Sequence, residues 1–250
     1  EHDLRHAIGR GELYLVFQPL VATAFGSVVG YEALLRWEHP ERGDIPPDDF
    51  VPVAEEIGAI LPIGEWVLRE ACMVAAAWPD NVSIAVNVST IQFQVPNLPA
   101  IVRDALEQSG LDARRLELEI TETAFIRNRQ AALKILHEIR AMGVRIAMDD
   151  FGTGYSSLSN LKAFPFDKIK IDKSFVSSFN DDDAARSIVR AIVGLGRSFN
   201  MPIVAEGVET EEQRQMLLDE GCPQAQGYFF GYPAGDPYAA EIPREARSDG

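Results

Sequence analysis

Short apolar runs rich in β-branched residues alternate along this chain with longer stretches in which apolar residues recur at helical spacing. That alternation is the mark of βα units built around a parallel sheet. Leu13–Leu20 predicts a first strand, Ala24-Phe25-Gly26 a turn, and Val28–Leu35 a second strand. Too few residues separate these strands for a crossover helix, so they are expected to pair antiparallel. Pro46–Gly58 and Ile63–Trp78 predict helices, the second with Trp66, Val67, Ala71 and Val74 as its apolar residues. Regular alternation follows. Strands are expected at Val82–Val88, Leu116–Thr121, Val144–Asp149, Phe166–Ile171, Pro202–Glu206 and Pro223–Gly227. Between them, helices are expected at Leu98–Ser109, Gln130–Met142, Ser156–Ala163, Ala184–Phe199 and Glu211–Glu220, with Gly110 and Gly143 as stop signals. The expected fold is α/β: a modified (β/α)8 TIM-type barrel with an antiparallel first strand. No linker, repeat or low-complexity segment divides the chain, so residues 1–250 are expected to form one domain.

The length fits, since a barrel of this kind fills roughly 250 residues as one unit. The chain has 250 residues, 46% hydrophobic and 24% charged, an ordinary composition for a globular domain. No segment approaches the roughly 18 consecutive apolar residues that cross a bilayer, and the first residues lack the pattern of a signal peptide. A start without Met and the polar tail Arg247-Ser248-Asp249-Gly250 suggest a domain cut from a longer protein. Cys72 lies in an apolar helical run and Cys222 in a Gly-Cys-Pro turn. Without metal-type neighbours, both read as buried thiols in a reducing cytosol. A net charge of −15 argues against a grip on polymeric nucleic acid, which needs clustered Lys and Arg.

In barrels of this kind the reactive groups sit where the strands end, because the loops there converge over one mouth. The second strand carries Glu32, with Arg36 just beyond it. The third carries Asn87, the fourth Glu119, and the fifth ends in Asp149-Asp150. The sixth carries Lys170, the seventh ends at Glu206, and the eighth reaches Gln226. Any one of them has an ordinary explanation, such as a solvent-facing Glu or an Asp capping a helix. Jointly that explanation fails, because a buried ring of carboxylates repels itself unless protons or cations offset the charge. Oxygen ligands without His or Cys point to Mg²⁺ or Mn²⁺ rather than Zn²⁺. His2, His6 and His137 fall in helices, and His39, before Pro40, reads as a surface loop residue. No Ser-His-Asp set, nucleophile elbow, dinucleotide fingerprint or phosphate-loop motif is present. The glycines after Asp149-Asp150 suggest a mobile flap.

These residues form an ordered series that resembles the EAL-domain family. Glu32-Ala33-Leu34, followed by Leu35-Arg36 and preceded by Gln18-Pro19, matches the family's signature. Asn87-Val88-Ser89, Glu119-Ile120-Thr121-Glu122 and Asp149-Asp150-Phe151-Gly152-Thr153-Gly154-Tyr155-Ser156-Ser157 match its next motifs. Lys170-Ile171-Asp172, Ala205-Glu206-Gly207-Val208-Glu209 and Gln226-Gly227-Tyr228 complete the series in order. The similarity runs from about Leu4 to Pro233. A departure follows at Phe229-Phe230-Gly231-Tyr232-Pro233-Ala234, where the family often has a basic residue and Pro-Leu-Pro; this affects guanine contacts and leaves the metal residues intact.

The resemblance implies hydrolysis of one phosphodiester of cyclic di-GMP to linear pGpG, with two Mg²⁺ or Mn²⁺ ions. By matching positions, Glu32, Asn87, Glu119 and Asp149 would hold one metal. Asp149 would bridge to the second, held also by Asp150, with Glu206 reaching it directly or through water. Lys170 would position or help deprotonate the attacking water, and Glu206 is the other base candidate. Arg36 would bind phosphate, and Gln18 and Gln226 would line the site. Glu122 would anchor the Asp-Asp-Phe-Gly loop. An alternative is a catalytically weak domain acting as a cyclic di-GMP receptor, although degenerate domains of that kind lack metal ligands and here all are present. No cyclase motif occurs. A cytoplasmic location is expected, with fused sensory or GGDEF-type domains in the full-length protein, a homodimer as one form of assembly, and membrane anchoring only through a part outside this chain.

Overall fold

The computed structural model describes residues 1–125, 129–153, 161, 163–178 and 183–239, without the side chains of Glu122 and Phe125. Its centre is a closed barrel. The strands are β1 (Leu13–Ala22), β2 (Val28–His39), β3 (Gly43–Ile45), β4 (Ser83–Asn87), β5 (Leu116–Thr121), β6 (Arg145–Phe151), β7 (Lys168–Ile171), β8 (Ile203–Ala205) and β9 (Gln224–Gln226). They are hydrogen-bonded in the order β1-β9-β8-β7-β6-β5-β4-β2-β3, and pairing of β1 with β2 closes eight of them into the barrel. β1 runs antiparallel to both neighbours, β2 and β9, and the remaining barrel pairs are parallel. The irregular start expected from the short first connection is present, for the reason given: a tight turn at Gly26 cannot hold a crossover helix.

Around the barrel lie α1 (His2–His6), α2 (Pro47–Glu56), α3 (Ile60–Ala76), α4 (Leu98–Ser109), α5 (Arg129–Ala141), α6 (Lys173–Ser177), α7 (Asp183–Phe199) and α8 (Glu211–Glu220). α4 and α8 end on left-handed glycines, Gly110 and Gly221, a conformation that costs glycine little. The helix expected at Ser156–Ala163 lies largely outside the described residues. Ile84, Val86, Leu116, Leu118, Ile120, Ile146, Ile169 and Ile171 are completely buried. They alternate with interior-facing residues along each strand, as the two-residue period of a strand requires.

Two expectations need correction. β2 does not stop at Leu35 but continues to His39 and pairs with the additional strand β3 through Trp37–Ile45, Glu38–Asp44 and His39–Gly43. Arg36 therefore lies within a strand. His39 is not a surface residue, being only 5% exposed. Its Nδ1 accepts the Glu41 backbone N–H at 3.1 Å, and its Nε2 lies 3.5 Å from Asp3. The hairpin register turns it toward α1, where sequence alone placed a loop.

Candidate active site at the barrel mouth

Alternation along the strands decides which side chains meet. On β5, Glu117 and Glu119 face the interior; on β7, Lys168 and Lys170 do the same two residues apart. Each interior Lys meets the Glu at the same level: Lys168 Nζ lies 2.7 Å from Glu117 Oε1, and Lys170 Nζ lies 2.6 Å from Glu119 Oε2. The upper level is at the carboxyl ends of the strands. There the Lys170 ammonium also lies 2.6 Å from Glu206, 3.5 Å from Asp149 and 3.6 Å from Glu32. Four carboxylates thus surround one ammonium that is only 2% exposed.

Amides complete the ring. Asn87 Nδ2 donates to Glu32 Oε1 at 2.6 Å, and Gln226 Nε2 donates to Glu32 Oε2 at 2.6 Å and to Gln18 Oε1 at 3.0 Å. Glu32, Asn87, Glu119, Asp149, Lys170, Glu206 and Gln226, picked from separate strand ends, are therefore brought to one place, together with Gln18, which the resemblance had added. Oxygens of Asp149, Asp150 and Glu206 lie within 4.8 Å of one another, close enough to share a cation.

Electrostatics follow from this crowding. Burial would raise the Glu32 carboxyl, but the Lys170 charge and the hydrogen bonds from Gln226 and Asn87 outweigh it and hold it below the usual range. Glu119 goes the other way, pushed well up by burial and by the Glu32 charge, with Lys170 offsetting only part. Burial also pushes Glu206 up, to about 8, against the pull of Lys170 and with Asp149 adding to the rise. Asp150 is raised by burial and by Asp149. Lys170 is held well above its ordinary value because its carboxylate neighbours outweigh burial. One ammonium does not balance four carboxylates, and the site retains capacity for further positive charge.

The backbone at the end of β6 and just beyond it is specialised. Asp150 has φ +54°, a left-handed conformation uncommon outside glycine. Thr153 closes the turn, its hydroxyl donating to the Asp150 carbonyl at 2.9 Å. Gly152 has φ +103°, and a Cβ there would meet the Phe175 ring at 2.8 Å. Of the flap expected after Asp149-Asp150, residues 154–160 lie outside the described residues, as does the Glu122 side chain. Gly207, beside Glu206, is at φ +71°, with Lys173 Cβ 2.5 Å from where its own Cβ would stand.

Two cavities flank the carboxylates. One of about 520 Å³ is bordered by Arg36, Pro47, Glu55, Asn87, Asp149 and Asp150. The other, of about 320 Å³, is bordered by Gln18, Lys173, Glu206, Gln226 and Tyr228, and again by Asp149. Arg36 reaches the larger cavity while its Nη1 donates to the Leu35 carbonyl at 2.8 Å. Three features escaped the sequence reading: Lys168 with Glu117, the bond between Ser89 and Glu55 that ties α2 to the end of β4, and the stacking of Tyr228 on Tyr232 at 4.6 Å. The first could have been found, because Glu117 and Lys168 stand two residues before Glu119 and Lys170. The others are long-range or irregular contacts with no local pattern.

The architecture is thus a TIM-type barrel with an acidic, lysine-centred mouth. The chain belongs to the EAL domain family, which matches residues 1–233. It is 58% identical over 232 residues to an uncharacterized signaling protein of Caulobacter vibrioides, and 48% identical over 236 residues to the bifunctional diguanylate cyclase/cyclic di-GMP phosphodiesterase MucR of Pseudomonas aeruginosa. Each match covers 93% of this chain, which spans 29% and 34% of those relatives. The solved PaMucR phosphodiesterase in complex with c-di-GMP superposes with a TM-score of 0.90 at 48% identity, covering 94% of this chain and 96% of that one. The EAL enzyme Bd1971, in its cAMP- and cyclic-di-GMP-bound form, gives a TM-score of 0.90 at 29% identity over 94% of this chain and 65% of its own. No helix among the described residues is long and apolar enough to cross a membrane.

Proposed function

We propose that this barrel hydrolyses one phosphodiester of cyclic di-GMP to linear 5′-pGpG, using two Mg²⁺ or Mn²⁺ ions. The observation that carries the reading is the uncompensated carboxylate ring around Lys170, flanked by two cavities and lying in a chain 48% identical to a phosphodiesterase solved with c-di-GMP. The donor set fits hard divalent cations: it is all oxygen, and burial together with neighbouring carboxylates pushes Glu119 and Glu206 up, so that added positive charge would favour their ionised forms. Glu32, Asn87, Glu119 and Asp149 would hold one ion. Asp149 and Asp150 would hold the other, with Glu206 contributing directly or through water. When bound, such ions supply positive charge against the phosphoryl oxygens and lower the pKa of water.

The chain's own residues do the rest. Arg36 binds a phosphate, and Gln18 and Gln226 line the opposite side. Lys170 orients the attacking water or takes part in moving its proton, with Glu206 the other base. Glu122 anchors the loop after Asp150. The full-length protein would carry fused sensory or GGDEF-type domains beside this single barrel unit, in the cytoplasm, with a homodimer as one form of assembly.

The deciding assay incubates the domain with cyclic di-GMP and Mg²⁺ or Mn²⁺ and identifies the products. Linear pGpG is expected, lost on chelation and restored by either ion but poorly by Ca²⁺, whose coordination is longer and looser. Full turnover in EDTA would sink the two-metal reading. Binding without any cleavage would favour a receptor.

A further inference from the structure

At the opposite end of the barrel, where the parallel strands begin, lies a cavity of about 340 Å³, within the size range of small-molecule sites. Its character is the reverse of the mouth. In a chain of net charge −15, it is bordered by Arg114, Arg115, Arg145 and Lys168 against only two carboxylates, Asp80 and Asp112. Three of the four cations are already engaged. Arg114 is held by Asp112 through its Nε and Nη2, and Lys168 by Glu117. Arg115 donates to the carbonyls of Val82, Ala75 and Trp78 and lies 3.8 Å from Asp80.

Arg145 is different. It shares the interior face of β6 with Ala147 and Asp149, yet among the described residues its guanidinium has neither ion pair nor hydrogen bond, and its Nε is buried. Gln224, on the border of the same cavity, has a buried Oε1 without a donor. Glu117, on the strand beside Arg145 and in register with it, has a buried Oε2 in the same condition. Buried polar atoms without partners are rare and call for an unseen one. A guanidinium fork without an acceptor suits a phosphoryl group. Nearby acceptors without donors suit the remaining hydroxyl of a protonated phosphate.

We propose that this floor cavity binds a phosphoryl group, either free phosphate or the terminal phosphate of a small ester, with Arg145 as its principal ligand. The site is separate from the mouth and independent of the reaction proposed there. The test is titration of the domain, in EDTA, with orthophosphate, pyrophosphate and GMP, followed by calorimetry and by backbone amide shifts. Saturable binding is expected, with shifts at Ser83, Arg145 and Gln224 and none at Asp149 or Gln226. Arg145→Gln should weaken it by about tenfold or more, the loss of a charge-assisted contact, while Arg36→Gln leaves it unchanged. Cyclic di-GMP turnover by Arg145→Gln should stay within about twofold of the parent. The strongest-binding arm distinguishes a free anion from an ester. No saturable binding at millimolar concentration, shifts confined to the mouth, or equal weakening by Arg36→Gln would overturn the site. If Arg145→Gln fails to fold, the amide shifts of the parent decide alone.

Discussion

Strands β5 and β7 carry the same chemistry twice, two residues apart, and the two levels they build differ in every respect that matters for function. At the lower level Lys168 meets one carboxylate, Glu117, in a nearly sealed pair. At the upper level Lys170 meets Glu119 with almost identical geometry, but Glu32, Asp149 and Glu206 crowd the same ammonium. The lower pair balances, while the upper ring leaves a surplus of negative charge beside two cavities. The electrostatic balance of a buried Lys–Glu contact therefore depends on what else converges on it. The surrounding strand ends decide this, because at the carboxyl ends Glu32, Asp149 and Glu206 converge on the same ammonium.

The largest expected effects are at the upper level. Lys170→Ala should lower kcat by about 10²–10⁴-fold, the span of a positioned proton-transfer group, with Mn²⁺ affinity by calorimetry largely retained. A change confined to KM would remove Lys170 from the chemical step. Asp149→Asn should lower both turnover and Mn²⁺ affinity, since the residue bordering both cavities loses its charge. Retention of full metal affinity in that variant would contradict the proposal that Asp149 is a metal ligand.

Breaking the lower pair should act on stability. Lys168→Met leaves Glu117 buried without its ion-pair partner and with Arg145 in register beside it, a loss of up to about 3–5 kcal/mol in denaturant unfolding. The molecules that remain folded should turn over at nearly the parent rate. A large fall in kcat at unchanged stability would mean that the two levels act as one device.

pH gives a smaller contrast. Glu206 is raised from 4.5 to about 8 in the folded state, so the folded protein holds this proton more tightly than the unfolded chain. Its contribution is present below pH 4.5 and is lost as pH rises through about 8. The metal-free domain should therefore lose stability across that window, by up to ~1.4 kcal/mol per pH unit for each proton involved. Saturating Mg²⁺ or Mn²⁺ should flatten the slope. A pH-independent melting temperature without metal would show that Lys170 alone balances the ring. The smallest change is expected when both lower charges are replaced: Glu117→Leu with Lys168→Met should recover most of what Lys168→Met loses, because apolar packing can substitute for a buried ion pair.

The amino-acid sequence by itself determined the alternation of strands and helices, the antiparallel start, and the ring of polar residues at strand ends. All of these are local or periodic: apolar spacing, turn residues, and a two-residue period that sends Glu119 and Lys170 to the interior. The tertiary structure decided what no local pattern encodes. β2 runs on into a hairpin with β3, which buries His39 against Asp3 and sets Arg36 within a strand rather than after it. Lys170, read from sequence as one group among many at the mouth, becomes the counter-charge at its centre, because barrel closure brings the ends of β2, β5, β6 and β8 within reach of one ammonium on β7. Glu117 and Lys168 carried the same period as Glu119 and Lys170. Only the closed barrel pairs them with each other at its opposite end and leaves Arg145 beside them without an acceptor, because which charges meet depends on distances across the barrel, and sequence spacing along one strand does not fix those.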